Sequence, residues 1–444
     1  MRGQVQSPCR EVRYLLKLCD MKKFLLTILL SLILCPLSLS CGNQIQTVPP
    51  LPGTLPNALT APEKVDTDIY FDATVSMKGF TTLATGNVYL TLPDLLGDLC
   101  GAAGEVKFYS FGEQIHALDG RNFRQFTTPE VYTESITAVA NVVDRADTNH
   151  LSIIVTDLFE SESDWSNVTQ KIRDKFFANH LSVAVIGIKN SFYGDIFDVG
   201  LNAAKFNYNS YDNPGRFRPF YLLIMGRDDF VKNFLRKFNE RQTLPNDTGY
   251  LLLSESLTEN PSDFSDFELG DVENFYSDDT LELDNRVKEF GLDKFSAAAA
   301  FMLNWQYQPP LGACPLDLSE VDTAIEIFSV DGEEWTPLQK NDVRVSLLKD
   351  DRQSQSFLVK VALTPEKSLA EGKLNFVRIK IMPKERGYKL PSWVELWSVN
   401  VDGAAKNFDG SKTVNLTRVL GSLKDSIFAA SRPALMQLNF VVTP

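Results

Sequence analysis

The chain has 444 residues, of which 44% are hydrophobic, and its formal net charge at pH 7 is −13. Residues 1–40 contain six basic and two acidic residues, so the remainder, with 38 basic and 55 acidic residues, has a charge near −17. This acidity argues against nucleic acid as a partner and disfavours direct binding to anionic lipid. The apolar content indicates folded protein, and the length suggests two or three domains.

The N-terminal segment is typical of a bacterial export signal. Met21 begins MKKFLLTILLSLILCPLSLSC, in which Lys22 and Lys23 precede an apolar run and a small-residue site. The run has about eleven apolar positions, whereas a membrane-spanning helix needs roughly 20. We therefore interpret residues 21–40 as a signal peptide that is removed, and residues 1–20 as an artefact of an upstream start codon rather than part of the protein.

The end of this signal resembles the lipobox of bacterial lipoproteins. In LSLSCGN, Cys41 matches the cysteine that becomes the acylated N-terminus, although Ser38 stands where the family usually has leucine. The resemblance implies a stable lipid anchor in the cell envelope. Gly42 implies outer-membrane sorting or a periplasm-facing position in a cell with two membranes, and the cell surface in a cell with one. The alternative is an ordinary cleaved signal in which Cys41 is incidental.

Residues 41–64 are rich in proline and polar residues and have no periodicity, which predicts an extended tether. Beyond the signal and Cys41, the chain contains two cysteines, Cys100 and Cys314. Their pairing cannot be read from the sequence, so a disulfide and two buried thiols both remain open.

Residues 65–242 alternate apolar runs with amphipathic segments. The runs DIYF, EVKFYSFG, LSIIVTD, LSVAVIGI and FYLLIMG are almost wholly apolar, as strands buried on both faces are. Helical segments lie between most of them. The pattern predicts an α/β fold with a doubly wound, mostly parallel sheet, and a domain of this size should fold independently.

Two aspartates directly follow strands in this region. Asp72 ends the first run and Asp157 ends LSIIVTD, so both carboxylates should lie where the strands of a parallel sheet end. The stretch DIYFDATVSMKGF resembles the first strand and loop of a von Willebrand factor type A (vWA) domain, whose metal site begins with Asp-x-Ser-x-Ser. Asp72, Thr74 and Ser76 match that motif, and Asp157 matches the family's second aspartate.

The resemblance implies a metal-ion-dependent adhesion site that holds Mg²⁺ or Mn²⁺. Hydroxyl and carboxylate oxygens are suitable ligands for such ions. The family adds a threonine from a loop before a helix, and in PEVYTESITAVANVV we assign Thr133, with Ser135 as a competing choice. The implied function is binding of a protein partner through an acidic side chain placed on the metal.

Two other functions remain open. Each hydroxyl could instead cap a turn, which would leave a degenerate, metal-free site in a structural or assembly subunit. A metal-dependent hydrolase is the third possibility, but His116, His150 and His180 lie away from Asp72 in sequence, and we find no phosphate loop or nucleophile elbow. We therefore predict that the protein is not an enzyme.

The segment between the last two apolar runs spans some thirty residues and is rich in Phe, Tyr and Asn. Loops of this length are usually functional or disordered. Tyr193, Phe197, Tyr208 and Tyr211 could supply aromatic anchors for a protein partner. The alternative is that these rings pack against the sheet or the next domain.

The C-terminal part has a different pattern. Residues 243–290 are acidic and punctuated by aromatic residues, which predicts an irregular connection. Residues 291–444 contain several alternating segments and an Asp-Gly turn, which predict a mostly-β, sandwich-like domain. One amphipathic helix, TVNLTRVLGSLKDSIF, interrupts the strands.

Overall fold

The structure is a computed structural model. It describes residues 64–83, 87–119, 122–158, 162–199, 204–241, 247–259, 268–278, 287–329, 336–338, 342–349, 356–400 and 408–443. The signal peptide, Cys41 and the tether up to residue 63 lie outside the described residues. All described residues belong to one compact unit, Gly53–Pro444. Within these ranges, no helix combines the length and apolar character needed to span a membrane.

The first nine strands build a seven-stranded sheet and a separate hairpin. They are β1 (Thr67–Asp72), β2 (Val106–Phe111), β3 (Ile115–Leu118), β4 (Leu151–Thr156), β5 (Ser182–Asn190), β6 (Tyr193–Val199), β7 (Ala204–Asn209), β8 (Arg218–Gly226) and β9 (Thr248–Leu253). The sheet has the order β3-β2-β1-β4-β8-β5-β9, and β6 pairs with β7.

The sheet is mixed rather than mostly parallel, which corrects the prediction from sequence. Strand β1 pairs in parallel with β2 and β4, but β3 is antiparallel to β2, and β8 is antiparallel to both β4 and β5. The cause is the connection between β5 and β8, which contains the β6–β7 hairpin in place of a helical crossover. Because only a crossover can return the chain in the same direction, β8 runs opposite to β5.

Helices cover both faces of this sheet, so the predicted α/β class is confirmed. Ile69 and Phe71 point into the core beneath α1 and α4, whereas Tyr70 between them points to the opposite core beneath α2 and α3. This alternation follows from the two-residue period of a strand. The helices are α1 (Leu92–Gly101), α2 (Val139–Arg145), α3 (Glu162–Lys175) and α4 (Asp228–Glu240).

The C-terminal part consists mainly of strands, as predicted. They are β10 (Glu268–Glu273), β11 (Phe275–Ser277), β12 (Val287–Leu292), β13 (Ala299–Gln306), β14 (Val321–Ser329), β15 (Thr336–Pro337), β16 (Val343–Lys349), β17 (Ser356–Leu363), β18 (Asn375–Pro383), β19 (Ser398–Val399), β20 (Thr413–Val414) and β21 (Met436–Thr443). The helices are α5 (Pro365–Ser368), α6 (Ser392–Leu396) and α7 (Leu416–Ala430).

Two larger sheets carry most of these strands. One has the order β10-β13-β17-β16 and the other β11-β12-β21-β18-β14-β15, while β19 and β20 form a small parallel pair. Aromatic rings join the two larger sheets, because the Phe301 ring of β13 lies 5.0 Å from that of Phe290 and 5.2 Å from that of Phe440. Rings at these distances pack favourably in a shared core.

The stretch predicted as an irregular connection contains regular structure. Strand β9 joins the first sheet, and β10 and β11 join the C-terminal sheets. Strand β10, with the sequence ELGDVE, lies at a sheet edge, where a charged face is tolerated. Its acidic residues therefore mask the apolar alternation that identifies a strand in the sequence.

The helix predicted within the C-terminal part is α7, and it packs against α3 rather than lying apart. Leu420 and Leu423 of α7 share a continuous core with Ile172 of α3. The C-terminal part therefore completes the cover of one face of the first sheet. Cys100 and Cys314 are both buried free thiols.

Candidate functional site

The site begins where β1 ends. All six residues of β1 are buried, and Asp72 is its last residue. The chain then turns so that Asp72 Oδ1 accepts two hydrogen bonds from Thr74, one from the backbone N at 2.9 Å and one from Oγ1 at 2.7 Å. An aspartate that bonds the backbone two residues later is a common way to stabilise such a turn.

The second aspartate lies at the same edge of the sheet. Asp72 ends β1 and Asp157 directly follows β4, and because β1 and β4 are parallel neighbours, both aspartates lie at the same edge, as the sequence predicts. Thr156, the last residue of β4, donates from Oγ1 to Asp72 Oδ2 at 2.8 Å. We call this edge, where β1 and β4 end and β8 begins, the rim.

Three hydroxyl groups meet beside Asp72, and we call them the hydroxyl cluster. Thr74 Oγ1 lies 3.0 Å from Ser76 Oγ and 3.3 Å from Thr137 Oγ1. Thr137 also lies within 3.5 Å of Asp72 Oδ2. The cluster forms because the backbone around Glu134 bonds to that of residues 73 and 75, at 3.2 and 2.9 Å, and so holds the loop before α2 against the loop after β1.

The threonine from that loop is Thr137 rather than the predicted Thr133. Thr133 and the alternative Ser135 are exposed, and the described hydrogen bonds join neither side chain to Asp72. Glu134 is the residue whose backbone is fixed to the rim, so the chain returns to Asp72 three residues later, just before α2. The family motif alone could not show which residue of the loop lies beside Asp72, because the loop has hydroxyl side chains at three nearby positions, Thr133, Ser135 and Thr137.

Arg218, the first residue of β8, is a rim residue that the sequence analysis missed. Its Nη2 lies 3.6 Å from Asp157 Oδ2, and both side chains are almost completely buried. A parallel β8 would place Arg218 at the opposite edge of the sheet. The sequence does show a charged residue, Arg218, immediately before the apolar run PFYLLIMG. Whether that residue lies at the rim or at the opposite edge of the sheet depends on the direction of the strand.

The rim therefore contains two buried carboxylates and one buried guanidinium. Burial, followed by the charge of Asp157, raises the pKa of Asp72 to about 7, although the bonds from Thr74 and Thr156 oppose the shift. Burial also lowers the pKa of Arg218. Within the described residues Asp72 forms no ion pair, so its negative charge is stabilised mainly by hydroxyl and backbone donors.

The spacing of the hydroxyl cluster suits a divalent cation. Oxygen atoms in adjacent positions of an octahedron around Mg²⁺, each 2.0–2.1 Å from the metal, lie about 2.9 Å apart. The distances from Thr74 Oγ1 to the other two hydroxyl oxygens of the cluster, 3.0 and 3.3 Å, are close to that value. In the part of the chain that the structure describes, no group of three or more His, Cys, Asp or Glu side chains is arranged for a metal. Any cation at the rim therefore relies on hydroxyl oxygens together with Asp72 and Asp157.

The predicted aromatic anchors belong to a hairpin rather than to an irregular loop. Tyr193 is 46% exposed and Tyr211, which follows β7, is 61% exposed. Phe197 is half-buried beneath the ammonium group of Lys205, whereas Tyr208 is buried and donates to the backbone oxygen of Arg216. The structure therefore leaves Tyr193 and Tyr211 available to a partner and gives Tyr208 a packing role.

Comparison of the chain with protein-family models finds no match, and comparison with curated proteins finds none either.

Proposed function

We propose that this chain is an exported lipoprotein, held at a membrane by acylated Cys41, whose vWA-like part binds a protein partner at the rim through Mg²⁺ or Mn²⁺. The observation that carries the proposal is the convergence of Thr74, Ser76 and Thr137 beside the buried carboxylate of Asp72. Isolated hydroxyls near strand ends are commonly turn caps. Here three hydroxyls from two separate loops meet, and the two distances from Thr74 are close to the spacing of octahedral ligands, which favours a built site.

The roles of the chain's own residues follow from their contacts. The hydroxyl cluster would supply neutral oxygens as ligands. Asp72 would orient the Thr74 side chain by accepting a hydrogen bond from its hydroxyl group. Thr156 would hold the second oxygen of Asp72 in place. When bound, the cation would offer an open coordination position to an acidic side chain of the partner. Ser76 and Thr137 are partly exposed, which leaves the cluster accessible from solvent.

The β6–β7 hairpin supports a partner surface next to the cluster. Thr82, which follows the Asp-x-Thr-x-Ser loop, donates from Oγ1 to the backbone oxygen of Tyr193 at 2.7 Å. This bond holds the backbone of Tyr193, whose side chain is exposed, beside the segment that follows the loop. Exposed tyrosines are frequent anchors in protein interfaces, because one ring supplies both apolar area and a hydroxyl group.

One observation favours the second candidate, a metal-free structural or assembly subunit. The guanidinium of Arg218 is already beside Asp157 and neutralises part of its charge. If that ion pair is sufficient, the rim needs no cation, and its hydroxyls serve only to hold Asp72. The two candidates differ in one measurable property, which is whether metal stabilises the folded protein.

Thermal unfolding of the full mature chain in EDTA and in Mg²⁺ or Mn²⁺ tests the proposal. Binding to the native state adds about 2.7 kcal/mol at 100 times Kd. For a compact unit of this size, that corresponds to a rise in melting temperature of about 3 °C. Asp72→Ala should remove the rise, and the matched control Asp174→Ala, an exposed aspartate of α3, should keep it.

A wild type whose melting temperature is the same in EDTA and in metal would support the metal-free candidate instead. A rise that persists in Asp72→Ala would place the cation elsewhere on this acidic chain. If metal does bind at the rim, pull-down of partners from envelope extracts should depend on Asp72 and be reversed by EDTA.

A further inference from the structure

A short segment of the C-terminal part lies across the rim. We call residues 408–413 the strap. Arg218 donates from Nη1 to the backbone oxygens of Gly410 and Lys412, at 3.3 and 3.2 Å. The hydroxyl of Tyr221, three residues further along β8, lies 2.8 Å from Thr413 Oγ1. The strap is therefore fixed to the strand that borders Asp157, although it lies about 190 residues later in the chain.

The strap has little freedom to shift while it remains docked. A Cβ atom added at Gly410 would lie 2.4 Å from the ring of Tyr208, so only glycine fits between the strap and that ring. Phe408 packs edge-on against Phe206, with ring centroids 5.3 Å apart. Asp409 closes the turn by accepting from the backbone N and Oγ of Ser411 at 3.0 and 2.6 Å.

Arg218 is shared between the strap and Asp157. One of its terminal nitrogens bonds the strap carbonyls, and the other lies 3.6 Å from the Asp157 carboxylate. The residue is only 1% exposed. A buried guanidinium is stable only when such partners replace water, so the strap helps to hold a positive charge against Asp157.

We propose that Arg218 couples the strap to cation binding at the rim, so that the docked strap weakens binding and a bound cation loosens the strap. This inference rests on the proposed metal site. With the strap docked, the guanidinium occupies the surroundings of Asp157 and repels a second positive charge. A cation that attracts the Asp157 carboxylate weakens the ion pair between Asp157 and Arg218. Because this ion pair keeps the guanidinium in position, its hydrogen bonds to Gly410 and Lys412 weaken as well. Such coupling is reciprocal by thermodynamic necessity.

The first test measures the affinity of Mn²⁺ alone for the full mature chain by titration calorimetry. In Gly410→Leu the new side chain overlaps the Tyr208 ring, so the strap should be displaced. We expect its Kd for Mn²⁺ to be about tenfold lower than that of the wild type, within the usual range for coupled sites. Gly421→Leu is the matched control, because open space surrounds Gly421 on α7, and its Kd should equal that of the wild type.

The second test needs no variant. Trypsin cleavage after Lys412, followed by mass spectrometry, reports release of the strap in the wild type. Cleavage should be several-fold faster in Mn²⁺ than in EDTA, whereas cleavage after Lys424, on α7, should not change. If Gly410→Leu does not fold, Gly410→Ala compared with Gly421→Ala replaces it, because a single Cβ atom at Gly410 already meets the Tyr208 ring, and the tighter Mn²⁺ binding should appear only in Gly410→Ala.

The outcomes separate this inference from the proposed function. Equal Kd values in the strap variant and the wild type, with equal cleavage rates after Lys412, would overturn the coupling but leave the metal site intact. Absence of Mn²⁺ binding in the wild type and in Gly421→Leu would overturn the metal site and the coupling together. Faster cleavage in Mn²⁺ with tighter binding in the strap variant would establish both.

Discussion

The indole Nε1 of Trp393 donates a hydrogen bond to the backbone oxygen of Tyr250, 3.0 Å away. Trp393 belongs to α6 of the C-terminal part, and Tyr250 lies in β9, the edge strand of the first sheet. The indole approaches so closely that a Cβ atom at Gly249 would lie 2.4 Å from the ring. A C-terminal side chain thus covers the last strand of the N-terminal sheet.

Gly249→Ala should therefore destabilise the protein. The added methyl group overlaps the Trp393 ring, and overpacking of this kind typically costs about 1–3 kcal/mol. Urea unfolding measures the loss. The control is Gly421→Ala, where the helix interior of α7 has open space and alanine should add up to about 1 kcal/mol. Unchanged stability of Gly249→Ala would mean that the indole moves aside freely.

The boundary of the first domain gives a second prediction. The sequence predicts that residues 65–242 fold alone, but they exclude β9, which pairs with β5 and buries Leu251 and Leu253. We expect a fragment of residues 64–259 to unfold at a higher urea concentration than one of residues 64–242. Loss of buried leucines costs about 2–5 kcal/mol each in intact cores. Equal unfolding midpoints would show that β9 adds nothing to the domain.

The raised pKa of Asp72 predicts how stability depends on pH in EDTA. The carboxyl group titrates near 3.9 when unfolded and near 7 when folded. Between these values the folded protein retains a proton that the unfolded chain has released, so stability falls as pH rises and becomes level above about 7. From pH 5 to pH 8 the loss due to Asp72 should be about 3 kcal/mol.

Asp72→Asn isolates this effect, because the amide has the shape of the carboxyl group but no charge. Its Oδ1 can still accept the two bonds from Thr74. Urea unfolding at pH 5 and pH 8 should show the fall in the wild type and a smaller one in the variant. Parallel pH dependences in the two proteins would contradict the shift, since all other titrating groups are shared.

The identity of the loop threonine gives a fourth prediction. Thr137→Val should reduce the rise in melting temperature that Mg²⁺ or Mn²⁺ produces, because it removes one oxygen of the hydroxyl cluster while it keeps the side-chain shape. Thr133→Val is the control, since Thr133 is exposed and should leave the rise unchanged. The reverse result would restore the assignment of Thr133 that the family motif suggests.

Lipidation is the fifth prediction and concerns a residue outside the described ranges. Cys41→Ser should move the protein from membranes to the soluble exported fraction, because the anchor depends on the acylated cysteine. Growth with radiolabelled palmitate should label the wild type and not the variant. A wild type without label would exclude the anchor and leave an ordinary secreted protein.

The sequence predicted those features that depend on local pattern. The apolar runs identified the strands that carry Asp72 and Asp157, and the parallel pairing of β1 with β4 brings the two aspartates to one edge as expected. Both results follow because a strand buried on both faces is predominantly apolar, and an aspartate comes directly after each of these two apolar runs.

The features that depend on long-range pairing could not be predicted. The direction of β8 is set by the β6–β7 hairpin, and the position of Arg218 at the rim depends on that direction. The choice of Thr137 depends on which residue of its loop bonds to residues 73 and 75. The strap is separated from Arg218 by about 190 residues, and no periodic signal connects the two.

Strand β21 pairs in parallel with β12, and the register joins Asn439 to Val287. These partners are about 150 residues apart, and β21 also pairs with β18, so it lies inside the six-stranded sheet rather than at its edge. Closing a loop of this length costs entropy before any contact is gained, and such topologies fold slowly. The C-terminal sheet therefore cannot begin its central pairing until β21 has been made. During this interval the edges of β12 and β18 that β21 later occupies stay unpaired, and unpaired strand edges are sites where another chain can add a strand.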